Sequence, residues 1–215
     1  MVVRAPYGGG IHGALYPSQS IEATFAHVPG LKVVAPATPY DAKGLLKSAV
    51  EDDNPVLFLE HKKTYRLIKG HVPDHDYRVP IGPAEIKRPG EDLSVYAYGL
   101  MLHYCLEAAQ TLASEGVSVE VVDLRTLRPL DVETIVESAR RTGKALVVHE
   151  DNLTGGLGGE IAALIAEHAF EALDAPVMRL GGPDVPAMPF AKPLEDAFMP
   201  TPGKIAAAMR KLAAY

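Results

Sequence analysis

The stretch from Val33 to Leu59 constrains this chain more than any other. Val33-Val34 and Val56-Leu57-Phe58-Leu59 are short apolar runs of the kind that buried strands need. Between them stands Thr38-Pro39-Tyr40-Asp41, a hydroxyl N-cap with proline at the first helical position and a carboxylate three residues on. Ala42, Leu45, Leu46, Ala49 and Val50 then recur at helical spacing and make one apolar face. Strand, capped helix and strand form a βαβ unit, whose crossover joins parallel strands with right-handed sense. The chain is therefore an α/β protein, and its first sheet is at least partly parallel.

Around that unit the pattern is incomplete. Met1-Val2-Val3-Arg4 reads as a strand entering the loop Gly8-Gly9-Gly10. Residues 1–68 then hold only three strands and two clear helices, a thin core whose sheet edges need cover. The expectation is half of a domain, completed by further N-terminal sequence or by another chain. Residues 69–92, punctuated by Pro73, Pro80, Pro83 and Pro89, read as a linker or an extended crossing segment. From residue 93 to 215 the alternation resumes. Strands are expected at Leu93–Tyr98, Val117–Val122, Ala145–His149 and Pro176–Leu180. Helices are expected at Leu102–Ser114, Val132–Thr142 and Gly159–Ala169, with a last one after Thr201-Pro202. This predicts a second, mostly parallel sheet with helices on both faces. Ligands of such sheets gather at the carboxyl ends of strands. Those ends carry Asp123-Leu124-Arg125, His149-Glu150-Asp151 and Gly181-Gly182-Pro183-Asp184.

Composition removes several function classes. No apolar run reaches the ~18 residues of a membrane span. The N-terminus has neither a signal core nor an Arg/Ser-rich presequence, so the expected setting is cytoplasmic. One cysteine excludes a disulfide framework, and a net charge of −6 argues against nucleic acid. The charge is uneven: residues 1–70 carry 8 basic and 6 acidic groups, residues 71–215 carry 13 and 21. The acidic second part could face a basic partner or be a solvated surface.

Several side chains invite chemistry. Thr154-Gly155-Gly156-Leu157-Gly158-Gly159 opens a helix and could cradle a phosphate, but Ile161 breaks the dinucleotide pattern and a tight turn is favoured. His71, Asp74, His75 and Asp76 could ligate a divalent ion, though they sit in a polar, proline-interrupted loop. Cys105 lies on an apolar helix face and reads as core. Asn152-Leu153-Thr154 is a glycosylation sequon in a chain with no sign of secretion. His27 ends a short helix and reads as a cap. His12, in a glycine-rich loop, is balanced between acid/base work and structure. Ala49–Asn54 offers helix-end carbonyls followed by the side-chain oxygens of Asp52 and Asn54, either a capped turn or a seat for a hard cation.

Longer motifs carry a resemblance. Arg4-Ala5-Pro6-Tyr7-Gly8-Gly9-Gly10, then Ser18-Gln19-Ser20 and Glu22-Ala23, then Pro29-Gly30-Leu31-Lys32-Val33-Val34 follow one another in order. So do Thr38–Leu46, Asp123-Leu124-Arg125-Thr126-Leu127 and Pro129-Leu130-Asp131. Together they resemble the β subunit of the decarboxylase component of 2-oxo acid dehydrogenase complexes, over essentially all 215 residues. Tyr65-Arg66 and Asp184-Val185-Pro186 favour the branched-chain 2-oxo acid type over the pyruvate type.

The resemblance implies part of a thiamine-diphosphate-binding (pyrimidine-type) domain, joined to a transketolase C-terminal-like domain. It implies a heterotetramer with an α subunit and a second β subunit. The cofactor and its Mg2+ would lie at the α/β interface, and the acyl group would pass to lipoyl on the dihydrolipoyl acyltransferase core. A potassium ion is implied at Ala49 and Val50, through their carbonyls, and at Asp52 and Asn54. Two departures follow. The family continues upstream of Met1, where the glutamate that pairs with the cofactor's aminopyrimidine stands, so this chain alone is expected to be inactive. The family histidine associated with acyl transfer is replaced here by Pro17, which cannot titrate. His12 is near but off that position, no catalytic residue is assigned, and the residues of this chain that touch the cofactor stay unassigned. The alternative function is a non-catalytic module that docks the acyltransferase core.

Overall fold

A computed structural model describes residues 1–215. The chain begins with β1 (Val2–Tyr7), a single-turn α1 (Leu15–Ser18), α2 (Glu22–Ala26) and β2 (Lys32–Val34). There follow α3 (Pro39–Glu51), β3 (Val56–His61) and α4 (Thr64–Leu67). The second part runs β4 (Glu85–Arg88), β5 (Leu93–Ala97), α5 (Leu100–Ala113), β6 (Val119–Asp123) and β7 (Thr126–Arg128). It continues α6 (Val132–Thr142), β8 (Ala145–Asn152), α7 (Leu157–Ala169), β9 (Met178–Gly182), α8 (Lys192–Phe198) and α9 (Pro202–Ala213).

Local chemistry sets the main helix starts. Thr38 accepts the Asp41 N–H at the head of α3, Asp131 does the same for Thr134 in α6, and Thr201 for Lys204 in α9. α6 ends on Gly143 at φ 68°, the left-handed cap that glycine adopts without a Cβ clash.

Two sheets result. The first has the order β1-β3-β2-β7 and the second β4-β6-β5-β8-β9. β1, β3 and β2 run parallel, as the βαβ reading requires. β5, β6, β8 and β9 are parallel to their neighbours, and β4 is antiparallel on the edge.

Two features differ from the sequence reading. β7, from the second part, pairs antiparallel with β2 and closes that edge of the first sheet. The β1 edge stays open, with Met1 and Val3 exposed. The 69–92 segment is the extended crossing rather than a free linker. Tyr77 stacks on Tyr40 at 4.5 Å, Val79 and Tyr77 lie against Gly44 of α3, and residues 85–88 become β4.

The core is continuous between the two sheets. One cluster of 19 buried residues joins Tyr7, Val33 and Leu59 of the first sheet to Tyr96, Val122 and Val147 of the second. A cluster of 23 fills the side of the second sheet under α5 and α9. Six residues, Leu45 and Phe58 among them, hold α3 to the first sheet. The carboxyl ends of β5, β6 and β8 therefore face the first part of the chain, not open solvent.

Candidate functional site

That seam collects the buried polar residues. The loop from Gly8 to Ala14 leaves β1 in a succession of unusual conformations: Gly8 at φ 91°, Gly10 at 84°, His12 at 57° and Ala14 at 52°. Left-handed backbone at His12 and Ala14 costs free energy that surrounding contacts must offset. Two carboxylates of the second part supply those contacts. Gly9 N–H donates to Glu150 at 2.8 Å, Gly10 N–H to Glu195 at 2.8 Å, and His12 N–H to Glu195 at 3.2 Å. Glu150 also meets His61 Nε2 at 2.6 Å, both fully buried, and the His61 ring leaves room only for glycine at position 8. His12 Nδ1 lies 2.8 Å from the second oxygen of Glu195.

Glu22, at the start of α2, is buried and accepts the Tyr98 hydroxyl at 2.7 Å, while its second oxygen has no partner. Burial, and then the nearby charge of Asp151, pushes its carboxyl up to about 8. A carboxyl held so high keeps its proton at neutral pH. On the other side of the seam Arg125, at φ 52°, donates to Asp41 at 3.0 Å and Glu85 at 2.9 Å. It also donates to the carbonyl of Pro83 at 3.0 Å. Asp123 beside it is pushed up to about 8 by burial and by Asp41. Two open spaces flank the seam. A groove of about 990 Å³ is bordered by Gln19, Ser20, His27, Asp151, Gly155 and Arg128. A hollow of about 380 Å³ lies between β1, β3 and α3.

The residues singled out in the sequence are placed as follows. Pro17 sits in the first turn of α1, where its missing N–H costs no helical bond, and its ring packs on Gly13. Tyr16 before it is helical rather than extended, and almost fully exposed. His12 stands on the clamped loop. His27 ends α2 and its N–H donates to the Ala23 carbonyl, a cap as expected. The Gly155–Gly159 turn is packing: Gly156 and Gly158 lie on the His149 ring, where a Cβ would collide. Burial pushes that imidazole down to about 4. Thr154 donates through N–H and hydroxyl to Asp184. Asn152 of the sequon belongs to β8. Asp76 is taken by Lys47 and Arg78, His75 lies edge-on to Tyr77, and no three or more His, Cys, Asp and Glu side chains gather as a metal site. Burial drives the Cys105 thiol far above its ordinary range, so it is core.

At the end of α3, Ala49 and Val50 belong to the last turn, whose carbonyls lack intrahelical partners. One Asp52 oxygen accepts Asn54 N–H at 2.9 Å and Nδ2 at 3.1 Å, and the other is paired with Lys32. Sequence reasoning missed Glu22, Glu195 and His61. Glu22, an acid set between Ile21 and Ala23, carries the one signal that could have flagged it, whereas Glu195 stands beside Asp196 and three residues from Lys192 and carries none.

No helix is long and apolar enough to cross a membrane. Residues 82–205 match the family model of the transketolase C-terminal domain, and residues 1–68 that of the transketolase pyrimidine binding domain. The chain is 60% identical over 215 residues to the 2-oxoisovalerate dehydrogenase subunit beta of Bacillus subtilis, covering 100% of this chain and 66% of that protein. It is 48% identical to the acetoin:2,6-dichlorophenolindophenol oxidoreductase subunit beta of Cupriavidus necator, covering 98% and 62%. It is 44% identical to the pyruvate dehydrogenase E1 component subunit beta of Bacillus subtilis, covering 99% and 65%. A solved split gene transketolase, described as an inactive beta4 tetramer, superposes with TM-score 0.76 at 29% identity, covering 99% of this chain and 65% of that one. The chain thus spans just under two thirds of the curated relatives it matches.

Proposed function

We propose, on the premise that this chain belongs to the transketolase C-terminal domain family, that it is the β-subunit part of a 2-oxo acid dehydrogenase decarboxylase. The observation that carries the reading is 60% identity to a 2-oxoisovalerate dehydrogenase β subunit along all 215 residues. The substrate class we assign is a branched-chain 2-oxo acid, with pyruvate second. The assembly we assign contains an α subunit, a second β subunit and the dihydrolipoyl acyltransferase core, in the cytoplasm.

The pyrimidine binding domain implies thiamine diphosphate as cofactor. That group supplies the electron sink for decarboxylation when bound. The residues present here do not assemble its site by themselves. Glu150 is turned onto Gly9 and His61, Glu195 onto Gly10 and His12, and Glu22 onto Tyr98. None of these three carboxylates borders the groove. We assign the carboxylate for the aminopyrimidine to the upstream part of the β subunit that the family's relatives carry, and Mg2+ with the diphosphate to the α subunit. What this chain does is hold the Gly8–Ala14 loop and present Leu15 and Tyr16 outward.

Potassium at Ala49, Val50, Asp52 and Asn54 belongs to the same proposal. Two helix-end carbonyls, a carboxylate and an amide oxygen suit a hard monovalent ion, with Lys32 as competitor for Asp52. Thermal unfolding at equal ionic strength in potassium and in tetramethylammonium reads it: a higher midpoint in potassium supports the site, equal midpoints refute it.

The reading is tested by carbon dioxide release from 3-methyl-2-oxobutanoate with the α subunit and thiamine diphosphate. The unmodified chain, and Pro17→His, are expected at the α-only level. Adding the upstream part of a relative's β subunit, together with Pro17→His, should give turnover. Failure of that combination overturns the enzyme reading. A second reading, docking of the acyltransferase core without catalysis, is favoured by the acidic excess beyond residue 70. It requires association with a basic segment that weakens as salt screens charges over ~8–10 Å. Binding indifferent to salt removes its basis.

A further inference from the structure

We infer that Glu195 and His12 form an acid/base dyad whose working atom is the outward Nε2 of His12. The inference rests on the proposed reading only for the reaction it serves; the dyad itself stands on geometry. Glu195 is 1% exposed, whereas the His12 side chain is 43% exposed. A sealed carboxylate and an open imidazole, 2.8 Å apart through Nδ1, reproduce the base-plus-orienter pair of nucleophilic enzymes.

The carboxylate only accepts, so the ring hydrogen lies on Nδ1 and the lone pair of the neutral ring on Nε2. The orientation is fixed twice. The same Glu195 takes the Gly10 and His12 N–H groups, and so holds the backbone that carries the ring in its left-handed conformation. A histidine kept at φ 57° against its own preference is set in place by its surroundings. The charged groups around it are Asp196 of α8, itself paired with Lys192, and Lys63 beyond β3, which is bonded to Tyr104. Gly13, next in sequence, packs on the Pro17 ring.

The chemistry this arrangement suits is attack on, or proton removal beside, an electrophilic acyl carbon. The Nε2 lone pair forms the new bond to the carbonyl carbon. The leaving group departs with the electron pair of the bond that breaks, and the Nδ1 proton passes to Glu195. No oxidant or metal is needed.

Diethylpyrocarbonate is the probe, because imidazole attack at its carbonyl expels ethyl carbonate. In the full chain, His12 should be acylated fastest of the eight histidines, mapped by mass spectrometry. Glu195→Gln keeps an acceptor for the two backbone N–H groups but sets an amide N–H against Nδ1, which forces the ring hydrogen to Nε2. Acylation of His12 should then fall on the order of tenfold or more. Long-range 15N–1H spectra at pH 8 should show an Nδ1–H ring in the native chain and an Nε2–H ring in the variant. Acylation of His12 no faster than of exposed His71, or an Nε2–H ring in the native chain, overturns the dyad. Both readouts on the native chain stand even if the variant does not fold. A negative carbon dioxide assay with a positive pair of readouts removes the reaction and keeps the dyad.

Discussion

Glu22 shows what one residue does at the seam. Its carboxyl is held up to about 8 by burial and Asp151, whereas in the unfolded chain it titrates near 4.5. A group raised in this way favours the folded state while both states are protonated. Stability is then lost as pH rises from about 4.5 to about 8, because the unfolded chain releases a proton that the folded one keeps. The slope is on the order of 1 kcal/mol per pH unit. Asp123, also pushed up to about 8, adds to it in the same window. Glu22→Gln preserves the shape and the Tyr98 contact and removes the titration. Its stability advantage over the native chain, read from urea midpoints, should grow from pH 5 to pH 8; a constant difference refutes the assignment. Cys105, sealed in the core with a raised thiol, should not react with a thiol reagent until the chain unfolds. His12 could be suspected from its glycine-rich setting. Glu195 could not, because its meaning comes from a loop some 180 residues away, and no local spacing encodes that meeting.

At the scale of elements, α3 is the piece most firmly written into the sequence. Thr38 caps it, Pro39 starts it, and Leu45 anchors it among Val34, Val56 and Phe58. Thr38→Ala should cost about 1 kcal/mol through the lost cap. Leu45→Ala should cost about 2–5 kcal/mol, through lost burial and the cavity left behind. Chemical denaturation reads both, and equal costs contradict the roles given. α5, α6, α7 and α9 were legible for similar reasons: more than two turns of periodicity, with caps or glycine stops. β4, β7 and α8 were not. They are three to seven residues long, and two of them exist only because a distant strand offers backbone partners. β1 keeps one side unpaired, so its amides should exchange faster than those of β5, which lies between β6 and β8. Equal protection in hydrogen exchange would show that the β1 edge is covered.

For the whole molecule, the parallel architecture and the two-part layout could be read in advance, because alternation of strands and capped helices is a repeated local signal. The way the parts join could not. A 19-residue cluster and two carboxylate clamps fuse them, and all of those contacts are long-range. The strand β7 makes the fusion topological: it lies beyond residue 92 in sequence yet belongs to the first sheet. A gene broken anywhere between codons 69 and 92 would leave one sheet shared between two products. The two products would behave as lock and key, each soluble mainly in the company of the other. Fragments 1–80 and 81–215 made in one cell should co-purify, and 1–80 made alone should aggregate. The loan of its first half to another enzyme would leave β2 without the antiparallel neighbour that Thr126–Arg128 supply, and would bare the first-sheet side of the shared cluster.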